Sequence, residues 1–175
     1  MYMIDMKVIC LFFCLISTNA AYAFEKMSID LGASKDSINI SRLGLQKDFK
    51  HKWMESRRGS LTGYHEVSLS YWEHENESIK GIAYSPVFTF EFSTNKNISP
   101  YVEAGTGIAY LSKKTIRDRD LSSHFHFESR IGIGVKLGKL KNHELNFGYM
   151  HYSNAGIKQP NDGIDIFKFS YTFIY

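Results

Sequence analysis

His151, Tyr152 and Ser153 set an imidazole and a hydroxyl two positions apart, and Asp165 follows after a polar stretch ending at Gly163. Those residue types can build a nucleophilic set. A serine hydroxyl attacks only when a base removes its proton, and an imidazole serves best when an acid fixes its tautomer. On a strand, residues i and i+2 lie about 6.6–6.8 Å apart and point the same way. A residue opposite on an antiparallel neighbour is about 4.5–5.5 Å away. A hairpin that sets Asp165 beside His151 would therefore complete nucleophile, base and orienting acid. Polar residues at the interfacial end of an inert strand meet the same spacing, so position alone leaves both readings open.

The elements that must hold these groups are strands. Val67, Leu69 and Tyr71 share one face opposite Glu66, Ser68 and Ser70. Ile82, Tyr84, Phe88, Phe90 and Phe92 alternate with Gly81, Ala83, Ser85, Thr89 and Glu91, and Val102, Ala104, Ile108 and Tyr110 with Glu103, Gly105, Gly107 and Ala109. Phe125, Phe127, Ile131, Ile133, Val135 and Leu137 oppose His126, Glu128, Arg130, Gly132, Gly134 and Lys136. Leu145, Phe147 and Tyr149 oppose Glu144, Asn146 and Gly148, and the series Phe167 to Tyr175 opposes Lys168, Ser170 and Thr172. Period two with aromatic enrichment means strands. Weaker segments at 27–33 and 38–49 bring the number to eight, and a parity slip between Ile40 and Leu43 suggests a bulge.

Such a pattern suits a soluble barrel or an outer-membrane barrel. The strands are close to the span of about 10 residues that a tilted transmembrane strand needs. The minority face carries Glu66, Glu91, Glu103, Glu128, Arg130, Lys136, Glu144 and Lys168, more charge than a soluble core accepts. The expectation is an all-β fold: an eight-stranded antiparallel transmembrane β-barrel whose apolar face meets lipid and whose polar face fills the lumen. Eight strands leave room for packed side chains and no pore. Residues 34–37, 73–80, 112–123 and 155–163 then form outer loops, and 53–60, 93–97 and 138–142 periplasmic ones. Trp53, Trp72 and the strand-end tyrosines fit interfacial girdles. Parity continued from Tyr149 puts His151 and Ser153 on the lipid side, and parity from Phe167 puts Asp165 there too.

Composition narrows the classes. The chain has 175 residues, 43% hydrophobic, 22% charged and 15% aromatic, with 13 Phe, 11 Tyr and 2 Trp. That excludes disorder, collagen and a disulfide scaffold. The apolar run 8–16, after Lys7 and before Ala21-Tyr22-Ala23, reads as a signal peptide over residues 1–23, with the barrel over 24–175 and Met6 an alternative start. It is too short to cross a bilayer, which takes about 20 residues. Cys10 and Cys14 leave with that segment, which removes thiol catalysis, disulfides and Cys-bound metals. The net charge of +3 is too weak and scattered for nucleic acid. No cofactor is expected. His124 and His126 lack a third metal ligand, and Lys113, Lys114, Arg117 and Arg119 read as solvated loop charge with a steering role for anionic headgroups as the alternative.

The run His151-Tyr152-Ser153-Asn154-Ala155-Gly156-Ile157-Lys158-Gln159-Pro160-Asn161-Asp162-Gly163-Ile164 resembles the C-terminal signature of the PagL family, outer-membrane lipid A 3-O-deacylases. The resemblance implies a serine esterase that hydrolyses the ester-linked 3-hydroxyacyl chain at position 3 of lipid A, with lipopolysaccharide in the outer leaflet as substrate. It implies His151 and Ser153 as catalytic base and nucleophile, with Asn154 and Gly156 near the oxyanion. The resemblance implies Asp165 as the third member, where the type enzyme of the family carries a Glu, one methylene longer. The alternative is a non-catalytic eight-stranded barrel for adhesion or surface protection. An acyltransferase would need its active residues on the inward parity or in loops. The sequence leaves open whether barrels pair as a homodimer.

Overall fold

The structure, a computed structural model, describes residues 24–94 and 97–175. The signal-peptide expectation for 1–23 lies outside the described residues. Eight long strands carry the fold: β1 Lys26–Ser34, β2 Asn39–Asp48, β3 Gly59–His74, β4 Glu77–Phe92, β5 Ile98–Leu111, β6 Phe125–Leu137, β7 His143–Ser153 and β8 Ile164–Ile174. Each pairs antiparallel with its chain neighbour, and β1 pairs with β8 to close the barrel. Closure removes every free edge, which a strand in lipid requires. The pattern of exposed aromatic and aliphatic residues matches the expected lipid-facing parity throughout, from Ile29 and Leu31 on β1 to Phe167, Phe169 and Tyr171 on β8. On that wall Phe147 packs against Phe169 with ring centroids 4.9 Å apart, and Tyr149 against Phe167 at 5.5 Å.

The lumen is divided along its length. Its lower half, toward the chain ends, holds charge. Arg42 pairs with Asp30 at 2.9 Å, Glu66 at 2.7 Å and Glu128 at 2.9 Å, while Arg130 pairs with Glu66 at 2.8 Å and also with Glu128. Lys168 reaches Asp30 at 3.3 Å, and Tyr64 donates to Glu103 at 2.9 Å. These groups are almost wholly buried, and burial is tolerable because the arginines and Lys168 meet carboxylates while Glu103 accepts from a phenol. The residual cavity beside Asp30, Glu103 and Lys168 measures about 10 Å³. Side chains therefore fill this half among the described residues.

The half beneath the long loops is apolar, contrary to the expectation of a polar lumen throughout. Ile38, Ile40, Trp72, Ile79, Leu111, Met150, Tyr152, Ile164 and Ile166 point inward, and Ile116 and Leu121 descend from the 112–124 segment to join them. Charge at this end would lie under a folded cap with no partner, so apolar packing takes its place. Three expectations are corrected by this arrangement. Trp72 is fully buried against Tyr152, ring centroids 4.8 Å apart, and does not belong to a girdle; Trp53 stays exposed. The pairings of β2 run without interruption from Asn39 to Asp48, so there is no bulge. Ile40 faces inward with Arg42 because it sits in the apolar half, while Leu43 and Leu45 face lipid. The segment 73–80 is no loop either: β3 and β4 pair out to His74 and Glu77, leaving a tight turn.

Candidate active site on the lipid-facing wall

The β7–β8 hairpin builds the site. Its register sets His151 directly opposite Asp165, as parity required and as sequence alone could not fix. The ring Nδ1 lies 2.7 Å from Asp165 Oδ1. A carboxylate only accepts, so Nδ1 carries the hydrogen, which in the neutral ring leaves the lone pair on Nε2. Ser153 follows on the same parity at the end of β7, opposite Phe127 of β6. Its hydroxyl is held by no hydrogen bond among the described residues, so it is free to turn toward the ring. The His151 and Asp165 side chains are 42% and 48% exposed on a wall that also carries Phe127, Ile131, Tyr149 and Phe167. A polar pair on this wall meets lipid, so the chemistry it can do is chemistry on a lipid.

Asn154 takes a different position. It is buried, and its Nδ2 donates to Leu121 O at 3.1 Å, Ser122 Oγ at 3.1 Å and Lys158 O at 2.9 Å. Its backbone N–H donates to Asn161 Oδ1 at 3.0 Å. The side chain expected beside the oxyanion is thus occupied in tying the 112–124 segment to the 154–163 loop. Ile157 N returns to Asn154 O at 3.1 Å across Ala155 and Gly156, whose φ of 55° and 74° define a type I′ turn. Gly156 therefore sits exposed at the tip of a tight turn just past Ser153, with its N–H making no hydrogen bond among the described residues.

The loop cap is stitched by charge. Arg119 pairs with Asp36 at 2.5 Å and donates to Asp162 O at 3.1 Å, and Asp162 Oδ2 accepts the Asp120 N–H at 2.6 Å. Arg117 donates to Asp36 O through its guanidinium and to Glu77 through its backbone N–H, each at 2.6 Å. These two arginines hold together the 35–38, 112–124 and 154–163 loops and the start of β4, a role that solvated charge does not include. His124 and His126 bond backbone carbonyls of Leu111 and Ser123.

Two residues of the site were missed in the sequence. Tyr149 OH donates to Asp165 Oδ1 at 2.5 Å, the same oxygen that His151 uses. Parity alone marks it as wall aromatic; its place two positions before His151, on the same face, is the signal that ties it to the site. Gly163 enters β8 at φ 58°, and a Cβ there would lie 3.2 Å from His151 Cε1. Its absent side chain makes room for the imidazole.

Residues 41–173 match the family model described as lipid A 3-O-deacylase (PagL). The lipid A deacylase PagL of Pseudomonas aeruginosa is 38% identical over 147 residues, covering 83% of each chain. Its namesake from Bordetella bronchiseptica is 34% identical over 110 residues, 62% of this chain and 60% of that one. The crystal structure of the outer membrane enzyme PagL superimposes with a TM-score of 0.80 at 37% identity, covering 86% of this chain and 99% of that one. A closed eight-stranded barrel with the signature hairpin on its lipid-facing wall, matched over most of its length, belongs to the lipid A 3-O-deacylase (PagL) family.

Proposed function

We propose that Ser153, His151 and Asp165 carry the reaction of this outer-membrane lipid A 3-O-deacylase as nucleophile, general base and orienting acid. The observation that supports it best is the 2.7 Å bond between His151 Nδ1 and Asp165, made on the lipid-facing wall with Ser153 on the same face. A membrane lipid reaches such a site without leaving the bilayer.

In this reading Ser153 Oγ attacks the carbonyl carbon of the ester at position 3 of lipid A, and its proton passes to His151 Nε2. Asp165 accepts from Nδ1–H throughout and stabilises the imidazolium. The oxyanion is met by backbone N–H groups of the turn at Gly156, which Asn154 secures from below by its bonds to the two loops. Collapse expels the sugar oxygen, which takes the proton back from His151. Water, deprotonated by the same ring, then attacks the acyl carbon; the acyl–Oγ bond breaks, Ser153 Oγ takes the proton from His151, and the 3-hydroxy fatty acid is freed.

The test is the lipid A mass spectrum of an outer membrane that carries the chain, set beside Ser153→Ala. Loss of one 3-hydroxyacyl group with the native chain, and its retention with the variant, is the expected pair. Identical spectra from the two would refute the assignment.

A further inference from the structure

Past His151, the polar row continues across two more strands. Asp165 on β8 faces His151 on β7, His151 faces Ser129 on β6, and Ser129 faces Thr106 on β5. All four point outward. The next row toward the chain ends is Phe167, Tyr149, Ile131 and Ala104, and toward the loops Phe127 stands opposite Ile108. Ile131 and Ile108 are 60% and 59% exposed, so the surroundings of the two hydroxyls are lipid-facing apolar wall.

Thr106 Oγ1 and Ser129 Oγ lie 2.6 Å apart and share one hydrogen bond. Two hydroxyls own two O–H donors, and a single shared bond uses one. The other has no partner among the described residues, and leaving it unmet in an apolar medium costs about 1–3 kcal/mol. A wall built only to meet lipid would carry apolar side chains here. The pair is placed to receive a polar group that arrives with the lipid.

We propose that Thr106 and Ser129 bind the hydroxyl on carbon 3 of the scissile acyl chain and so select a 3-hydroxyacyl ester. This rests on the assignment of Ser153 and His151 above. Ser129 is opposite His151 and diagonal to Ser153, about 7–8 Å away. A carbonyl carbon poised for attack sits about 3–3.5 Å from the Ser153 oxygen. The chain hydroxyl stands two carbons further on, and a hydrogen bond of about 2.8 Å covers the remainder to Ser129. The unused O–H of the pair donates to the chain hydroxyl, whose own hydrogen is accepted by a lone pair of Thr106 or Ser129.

Paired substrates test it: two synthetic 3-O-acylated glucosamine lipids of equal chain length, one with the carbon-3 hydroxyl and one without, offered in mixed micelles to the purified full chain. The native enzyme is expected to favour the hydroxylated ester in kcat/KM by about tenfold, the worth of one hydrogen bond. Thr106→Val with Ser129→Ala should lose that preference while turnover of the plain ester stays within about twofold. Thr106→Ser, which keeps the hydroxyl, should retain it. No preference in the native enzyme, or an equal loss on both esters in the double variant, overturns the proposal. Should the double variant not fold, Ser129→Ala alone must narrow the preference. Turnover of both esters by Ser153→Ala would instead overturn the nucleophile assignment beneath it.

Discussion

Removing one phenolic oxygen isolates how Asp165 is held. In Tyr149→Phe the ring remains as ordinary wall, and only the 2.5 Å bond to Asp165 Oδ1 disappears. Hydrogen bonds to charged groups contribute about 1.5–3 kcal/mol. Here His151 and Asp165 are 42% and 48% exposed, which argues for the lower end. Loss of about 1.5 kcal/mol of orientation corresponds to roughly a tenfold fall in kcat, with KM unchanged because the phenol does not touch substrate. Asp165→Asn should fall further, on the order of 10²–10⁴, since it removes the charge and disturbs the imidazole tautomer. The double variant decides the route. If Tyr149 acts through Asp165, the phenol has nothing left to orient in Asp165→Ala, which removes the acceptor, and adding Tyr149→Phe there changes the rate by less than about twofold. The assay is the initial rate of fatty-acid release from purified lipid A in micelles. A further tenfold loss in the double variant, or a wild-type rate in Tyr149→Phe, refutes the reasoning.

Two more perturbations probe the frame of the site. Gly163→Ala forces a side chain into the left-handed region, about 1–2 kcal/mol of backbone strain, and sets a methyl 3.2 Å from His151 Cε1; kcat should drop while far-UV circular dichroism still reports the barrel, and an unchanged rate would show that the ring does not need the space. Asn154→Ala deletes the side-chain bonds to Leu121, Ser122 and Lys158, each worth about 1 kcal/mol net. Limited proteolysis should then cut the 112–124 segment, and activity should decline with it; an unaltered cleavage pattern would mean that the arginine and aspartate pairs suffice to hold the cap.

Much of this was legible along the chain. Alternation from Val67 to Tyr175 gave the lipid-facing set because parity is a local property: each side chain's face follows from its neighbour's. The charged lumen followed from the same count, and so did the shared face of His151, Ser153 and Asp165. Trp72 shows the limit of reading by residue type. Its parity with Glu66 and Ser68 already pointed inward, yet a tryptophan near a strand end suggested a girdle. Asn154 shows another limit, since its partners Leu121, Ser122 and Lys158 lie on loops whose meeting depends on barrel closure.

By itself, then, the sequence determined the strand parity, the lipid-facing wall and the shared face of His151, Ser153 and Asp165 on it, because these depend on spacing within one strand or hairpin. Tertiary structure alone decided the register that puts Asp165 against His151, the phenol of Tyr149 on the same carboxylate oxygen, and the hydroxyl pair of Thr106 and Ser129 in line with them. It also decided that Ile116 and Leu121 would plug the upper lumen. Each of these joins residues on different strands or loops, and no periodicity within one segment encodes the alignment between two. Closure of the barrel sets it.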